Sequence, residues 1–283
     1  MKELLVGGIF SAVVMLFFGI FAAAGWPGSP DKCIHEKPAH GPGFHDCYCE
    51  DFNPKDVEHH KAGIRQVENT WLNLYALGTG TLVGVFMWLQ RRRREDNPGE
   101  FANDQNRMRT TDWVPLLYLP ALIFLGLGSM WFHASLVSWG GFFDQASMFL
   151  FAGYLWFYTL TRATNKVWPM YTLYPASVVV MIIFGILGIK SLAIIFAVVA
   201  GGYFAAEVVC WASVPEARPS PFAILAYWIP AFLSFGAAVV FWTQSDSGKP
   251  LCFPKGFQFH SLWHLLAGAM ATLLYFYWRE VDR

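Results

Sequence analysis

The chain has 283 residues and a formal net charge of zero, and it is 55% hydrophobic, 18% aromatic and only 14% charged, against roughly 25% charged residues in soluble globular domains. That balance excludes a soluble domain with an ordinary polar surface, and it leaves no basic excess with which to hold nucleic acid. The composition suits a bilayer.

Apolar stretches long enough to cross a hydrocarbon layer about 30 Å thick, roughly 20 helical residues each, lie at 4 to 24, 70 to 90, 113 to 136, 140 to 161, 168 to 189, 191 to 212, 221 to 243 and 258 to 278. They predict eight transmembrane helices, because backbone amides in lipid need partners within their own segment and no alternating strand pattern is visible. The first segment, residues 1 to 24, ends in Ala22, Ala23 and Ala24, which can be read as the cleavage site of a signal peptide. Its apolar run exceeds the roughly 7–15 residues of a signal core, and Lys2 is offset by Glu3. An uncleaved N-terminal anchor is therefore expected, with a cleaved signal peptide as the alternative. Residues 25 to 69, rich in Pro, Gly, His, Cys and acidic groups, form a polar cap segment, and 70 to 283 form the membrane domain. Gly78, Gly80 and Gly84 lie within the second helix and suit close helix packing more than phosphate binding.

Arg91, Arg92, Arg93 and Arg94 follow the second helix, with Arg107 and Arg109 in the same loop, so the positive-inside bias assigns that loop to the cytoplasm. By alternation both termini are cytoplasmic, and Arg162, Lys166, Arg218, Arg279 and Arg283 also fall inside. The cap segment is then exoplasmic.

Three of the eight histidines, His133, His260 and His264, lie in membrane segments. The arginine-derived topology places them, with Ser129 and Asp144, in the exoplasmic half of the bilayer. Ionisable groups there are expensive and usually mark a site. His260-Ser-Leu-Trp-His264 has i, i+4 spacing, which puts two imidazoles on one helical face where they can share a metal. With His133 they make a three-His set that leaves a coordination position open, as catalytic zinc requires. No glutamate lies between the late histidines, so Asp144 is the candidate base. Against this stand an interfacial hydrogen-bonding pair for the late histidines and ordinary helix packing for Ser129.

Gly128-Ser129-Met-Trp-Phe-His133-Ala-Ser-Leu, Phe143-Asp144-Gln-Ala-Ser-Met148 and His260-Ser-Leu-Trp-His264, preceded by Cys47-Tyr-Cys49-Glu50-Asp51 and Gln66-Val-Glu-Asn69-Thr70-Trp-Leu-Asn73, resemble the signature of the alkaline ceramidases and their wider superfamily of seven-helix membrane hydrolases. The resemblance runs from about residue 45 to the C-terminus. It implies an all-α bundle of seven core helices, here the second through eighth, with the first as an extra N-terminal transmembrane helix. It also implies zinc on His133, His260 and His264, Ser129 and Asp144 beside it, and hydrolysis of the amide of ceramide or another N-acyl lipid. In that family an acidic N-terminal motif is implicated in calcium binding. Here Glu50 matches, but Phe52 stands where asparagine is expected and Gln66 where a glutamate is. Calcium would then have to use Glu50, Gln66 and substitutes among Asp51, Asn53 and Glu68, and a solvated acidic loop is the simpler expectation.

Cys33, Cys47, Cys49 and Cys252 fall outside by the same topology, while Cys210 sits near an inner helix end. Four cysteines allow three complete pairings, and the resemblance implies Cys49 with Cys252, leaving Cys33 with Cys47. Three other readings stand beside the amidase. One is a seven-helix receptor or transporter using the same polar cluster. Another is a Ser129, His133, Asp144 nucleophilic triad, and the third is a metal-capture module built on His35, His40, His45, His59 and His60. The expected partners are the bilayer and a membrane lipid, with no nucleic acid and no obligate protein partner.

Overall fold

The computed structural model describes residues 2–31, 34, 49–102, 104, 106–110, 113–186 and 192–281. Cys33 and Cys47, with His35, His40 and His45, lie outside them. Among the described residues the regular structure is helical and no strand is present, with ten α-helices carrying the architecture: α1 (Lys2–Ala24), α2 (Pro54–Glu58), α3 (Val67–Leu72), α4 (Tyr75–Asp96), α5 (Trp113–Ser135), α6 (Ser138–Thr164), α7 (Tyr174–Ile186), α8 (Leu192–Ser213), α9 (Ile229–Gln244) and α10 (Phe259–Arg279). Each predicted apolar stretch coincides with one of the long helices. The π-helical turns Pro169–Leu173 and Ile224–Trp228 lead into α7 and α9. Pro175 and Pro230 follow these turns at the same spacing. A proline lacks the amide hydrogen and crowds the carbonyl four residues back, here Tyr171 and Ala226, and the wider turn accommodates that.

Among the described residues five helical stretches are long and apolar enough to cross a membrane: Leu5–Ala24, Val67–Asp96, Trp113–Ser135, Phe196–Ser213 and Pro221–Gln244. This is fewer than the eight expected from sequence. The stretch predicted at 168 to 189 has a described apolar helix of Pro169–Phe184, shorter than a full span. Helices α6 and α10 are long enough at 27 and 21 residues, but Asp144 and Arg162 in one and His260, His264 and Arg279 in the other dilute their hydropathy. The candidate span that contains the stretch predicted at 70 to 90 begins at Val67.

The two ends of the bundle differ. At one end the arginines in the last turns of α4 pair with acids of the helix and of the loop that follows, Arg91 with Glu95 of α4 (3.0 Å), and Arg93 with Glu100 (2.5 Å) and Arg94 with Asp104 (2.5 Å) of the loop. Asn106 ties that loop to the end of α10 by donating to the carbonyls of Trp278 (2.8 Å) and Val281. At the other end α1 is anchored through Trp26, which is buried and donates its indole N–H to the Gly63 carbonyl (2.8 Å). Its ring sits among Phe18, Phe21, Trp131 and Trp139. Cys49 is disulfide-bonded to Cys252, as the family resemblance implied, and Asp51 N–H donates to the Pro254 carbonyl (3.0 Å). The cap is thus stapled to the loop that enters α10.

Glu207 of α8 pairs with Arg162 of α6. Both side chains are fully buried. The carboxylate also accepts from Thr159 (2.8 Å), Tyr277 (2.7 Å) and Trp211 (3.2 Å), and Arg162 donates to the Ala217 carbonyl (3.2 Å). The network clamps α6, α8 and α10. Arg162→Met strands a buried carboxylate and is expected to destabilise the protein by about 3–5 kcal/mol, whereas replacing both partners with apolar residues restores much of that. Denaturation in detergent checks this, and wild-type stability in the single variant would contradict it.

Candidate metal centre

Helix α5 ends beneath the cap and α10 begins there, so the last turn of one and the first two turns of the other lie at the same level. The turn after α5 is tight. Leu136 adopts a left-handed φ of 51°, a conformation costly for a non-glycine residue, and Asp31 N–H donates to its carbonyl (2.9 Å) from the segment after α1. That turn brings α6 directly back along α5. Gly128 makes the approach possible, since a Cβ there would meet the Phe143 carbonyl oxygen at 2.7 Å. Asp144 of α6 is thereby set beside Ser129 of α5.

His133, His260 and His264 are all buried. Their ring centroids are 5.2 Å (His133 to His260), 5.2 Å (His133 to His264) and 4.9 Å (His260 to His264) apart, and one nitrogen from each lies within 4.8 Å of the others. It is the one group of three or more His, Cys, Asp or Glu side chains among the described residues with metal-binding geometry. Buried imidazoles that face one another need a shared partner. Neutral imidazole nitrogens are the donor type zinc takes from protein, so the donor set fits a metal ion. No protein-family model and no curated protein matches the chain. The site's chemistry is therefore read from its own geometry.

The Ser129 hydroxyl lies close to the Asp144 carboxylate, short of a well-formed hydrogen bond. Asp144 is buried and does not join the histidine cluster. Asp144 thus adjoins Ser129, which lies one turn of α5 from His133, and a carboxylate at that level is a candidate for proton exchange at the site. The serine-triad order is not met, because His133 Nδ1–H donates to Gln66 Oε1 (2.6 Å) and not to Asp144.

By sequence Gln66 stands where the calcium motif has a glutamate and belongs to the candidate calcium set. The hydrogen bond gives it a different position: an acceptor on Nδ1 fixes the tautomer of His133 and leaves Nε2 with the lone pair. Gln66→Leu is expected to weaken metal affinity about 10–100-fold, the effect typical of losing a ligand's supporting partner, and Gln66→Glu to preserve it. Competition with a chelator of known affinity measures both, and unchanged affinity in Gln66→Leu would remove the role.

The other residues of the candidate calcium set hold backbone. Glu50 accepts from the amides of Glu68 (2.8 Å) and Asn69 (3.0 Å) at the start of α3, and burial raises its carboxyl above the usual range while those amides pull it down. Glu68 accepts from the Gln258 amide (2.7 Å) at the start of α10, and Asn53 caps α2 by accepting from the Lys55 amide (3.2 Å). Asp51 joins the cap to the α10 loop through its main chain. Together with the disulfide these bonds position the histidine-bearing end of α10. His60 bonds the Trp26 carbonyl through Nδ1 (3.1 Å).

Proposed function

We propose that the protein is a zinc-dependent intramembrane amidase that cleaves an N-acyl lipid such as ceramide, releasing fatty acid and amine. The reading rests on one observation above others: three buried histidines from two helices converge within 4.8 Å under a disulfide-held cap. Three nitrogen ligands with a position left over is the pattern of catalytic zinc, whereas structural sites are closed by a fourth protein ligand. Zinc on such a set supplies Lewis acidity, polarising an amide carbonyl and acidifying water toward neutral pH.

In this reading His133, His260 and His264 hold the ion, and Gln66 orients His133. The Asp144 carboxylate takes a proton from the attacking water and delivers it to the nitrogen of the leaving amine, as a positioned acid–base group does. Ser129 Oγ donates toward the developing oxyanion or holds Asp144 in register. Helices α4 to α10 form the seven-helix unit of the ceramidase type, α1 is an addition to it, and the site faces the exoplasmic side, with both termini in the cytoplasm. A lipid reaches such a site from the bilayer.

The test is amine release from a panel of N-acyl lipids by detergent-purified protein, before and after chelation and after zinc is restored. Release that disappears with the metal and returns with zinc supports the reading. Release that survives chelation would turn attention to a serine nucleophile, and lipid binding without release would favour a receptor-like protein.

A further inference from the structure

Helix α3 is amphipathic in the reverse sense. Gln66, Asn69, Thr70 and Asn73 are 0% exposed, while Val67 and Trp71 are 50% and 44% exposed. Positions 66, 69, 70 and 73 share one helical face, so a wholly polar stripe is turned into the bundle and the apolar residues are turned out. In an apolar solvent that orientation suits a polar interior site.

The stripe packs on α5 in a fixed antiparallel register. Arg65 N–H donates to the Ala134 carbonyl (3.1 Å) and Gln66 N–H to the His133 carbonyl (3.0 Å). Seven residues further along, a Cβ on Gly126 would lie 2.8 Å from the Asn73 carbonyl oxygen. Pairing 66 with 133 and 73 with 126 sets Asn69 opposite Met130 and Thr70 opposite Ser129. Asn69 is therefore within one residue of the level of Ser129, which Asp144 adjoins, and about one turn from His133.

Two members of the stripe, Gln66 and Thr70, have evident partners, and Asn73 is bonded at one end, its Oδ1 being buried without a hydrogen bond. Gln66 holds His133, Thr70 Oγ1 donates to the Gln66 carbonyl (2.5 Å), and Asn73 Nδ2 donates to the Asn69 carbonyl (2.7 Å). The Asn69 carboxamide is different: neither Oδ1 nor Nδ2 has a hydrogen-bond partner among the described residues, and both are buried. Ser129 Oγ and His264 Nε2 are likewise buried without a formed hydrogen bond. A buried carboxamide with both ends unmet is expensive to keep. It is explained when a ligand supplies what the protein does not.

We propose that Asn69 is a substrate-binding residue that reads the scissile amide, its carboxamide oxygen accepting the amide N–H of the lipid. The proposal rests on the amidase reading and adds the reason an amide is taken in preference to an ester, which has no N–H to offer. A site with a buried polar group arranged for a substrate N–H strongly rejects an analogue lacking it, because that group is then left unpaired.

The experiment compares wild type, Asn69→Leu and Asn69→Asp, each loaded with zinc and checked for metal content. It measures binding of a non-hydrolysable N-acyl amine analogue and of its O-acyl counterpart with the same chains, by change in tryptophan fluorescence in detergent micelles. Wild type is expected to prefer the amide analogue by about tenfold or more, and Asn69→Leu to erase that preference while binding the ester analogue within about threefold of wild type. Asn69→Asp keeps an acceptor and should retain part of the preference. Thermal stability gives a second readout: a carboxamide reserved for ligand leaves Asn69→Leu as stable as wild type or more so, whereas a structural asparagine lowers Tm. Equal amide preference in wild type and Asn69→Leu, no preference in wild type, or a loss of Tm with parallel loss of both analogues would overturn the proposal. Binding preference without turnover would instead defeat the amidase reading and leave Asn69 as a reader of amides.

Discussion

Alanine at His260 or at His264 is expected to remove the metal and to lower amine release about 1,000-fold or more, a loss of roughly 4 kcal/mol in transition-state stabilisation. The two imidazoles sit one turn apart on α10, with ring centroids 4.9 Å from each other and 5.2 Å from His133. Removing either leaves two ligands from two helices, too few to hold zinc against water at ordinary concentrations. Folding should survive, because Trp263, Ala267, Met270 and Leu274 bury the adjoining face of α10 and the start of the helix is held independently by Glu68 and the Cys49–Cys252 bridge. Metal content and turnover are measured on the same purified sample. Stoichiometric zinc in the double variant would contradict the ligand assignment.

Asp144→Asn is expected to leave the metal in place and to lower turnover about 100- to 10,000-fold, the range contributed by a positioned general acid–base group. The change is nearly isosteric and Asp144 is not part of the histidine cluster, so zinc binding and the close approach of α6 to α5 at Gly128 should persist. Asparagine can still bond to Ser129 but cannot accept a proton at working pH. The loss should fall on kcat, since the group acts in the chemical step. Unchanged turnover at saturating substrate would remove Asp144 from the chemistry.

The helical frame was legible because lipid imposes it: long apolar runs have no other way to satisfy their backbones. All eight predicted stretches carry described helix. Five of them qualify as spans among the described residues; α6 and α10 carry the polar groups of the site and of the Arg162–Glu207 pair, and the described apolar helix Pro169–Phe184 is shorter. His133, His260 and His264 could be found from sequence because intramembrane histidines are rare and two of them share a helical face. The Cys49–Cys252 bridge came from resemblance, since geometry alone left three pairings open.

What escaped the sequence reading were partners distant along the chain. Glu50 and Glu68 resemble metal ligands or a solvated acidic loop until the backbone amides of α3 and α10 are brought to them. Gln66 looked like the loss of a carboxylate, yet it is 67 residues from the histidine it orients. One signal was present and unread: in Gln66-Val-Glu-Asn69-Thr70-Trp-Leu-Asn73 the polar residues recur at helical spacing beside Val67 and Trp71, the pattern of a helix with its polar face inward.

The central claim is tested most directly by one measurement, the dependence of amine release on zinc content across a series of samples of the purified protein from metal-free to fully loaded. The account predicts release that rises in proportion to zinc and saturates at one ion per chain. Release from metal-free protein, or fully loaded protein that releases no amine from any N-acyl lipid, would contradict it.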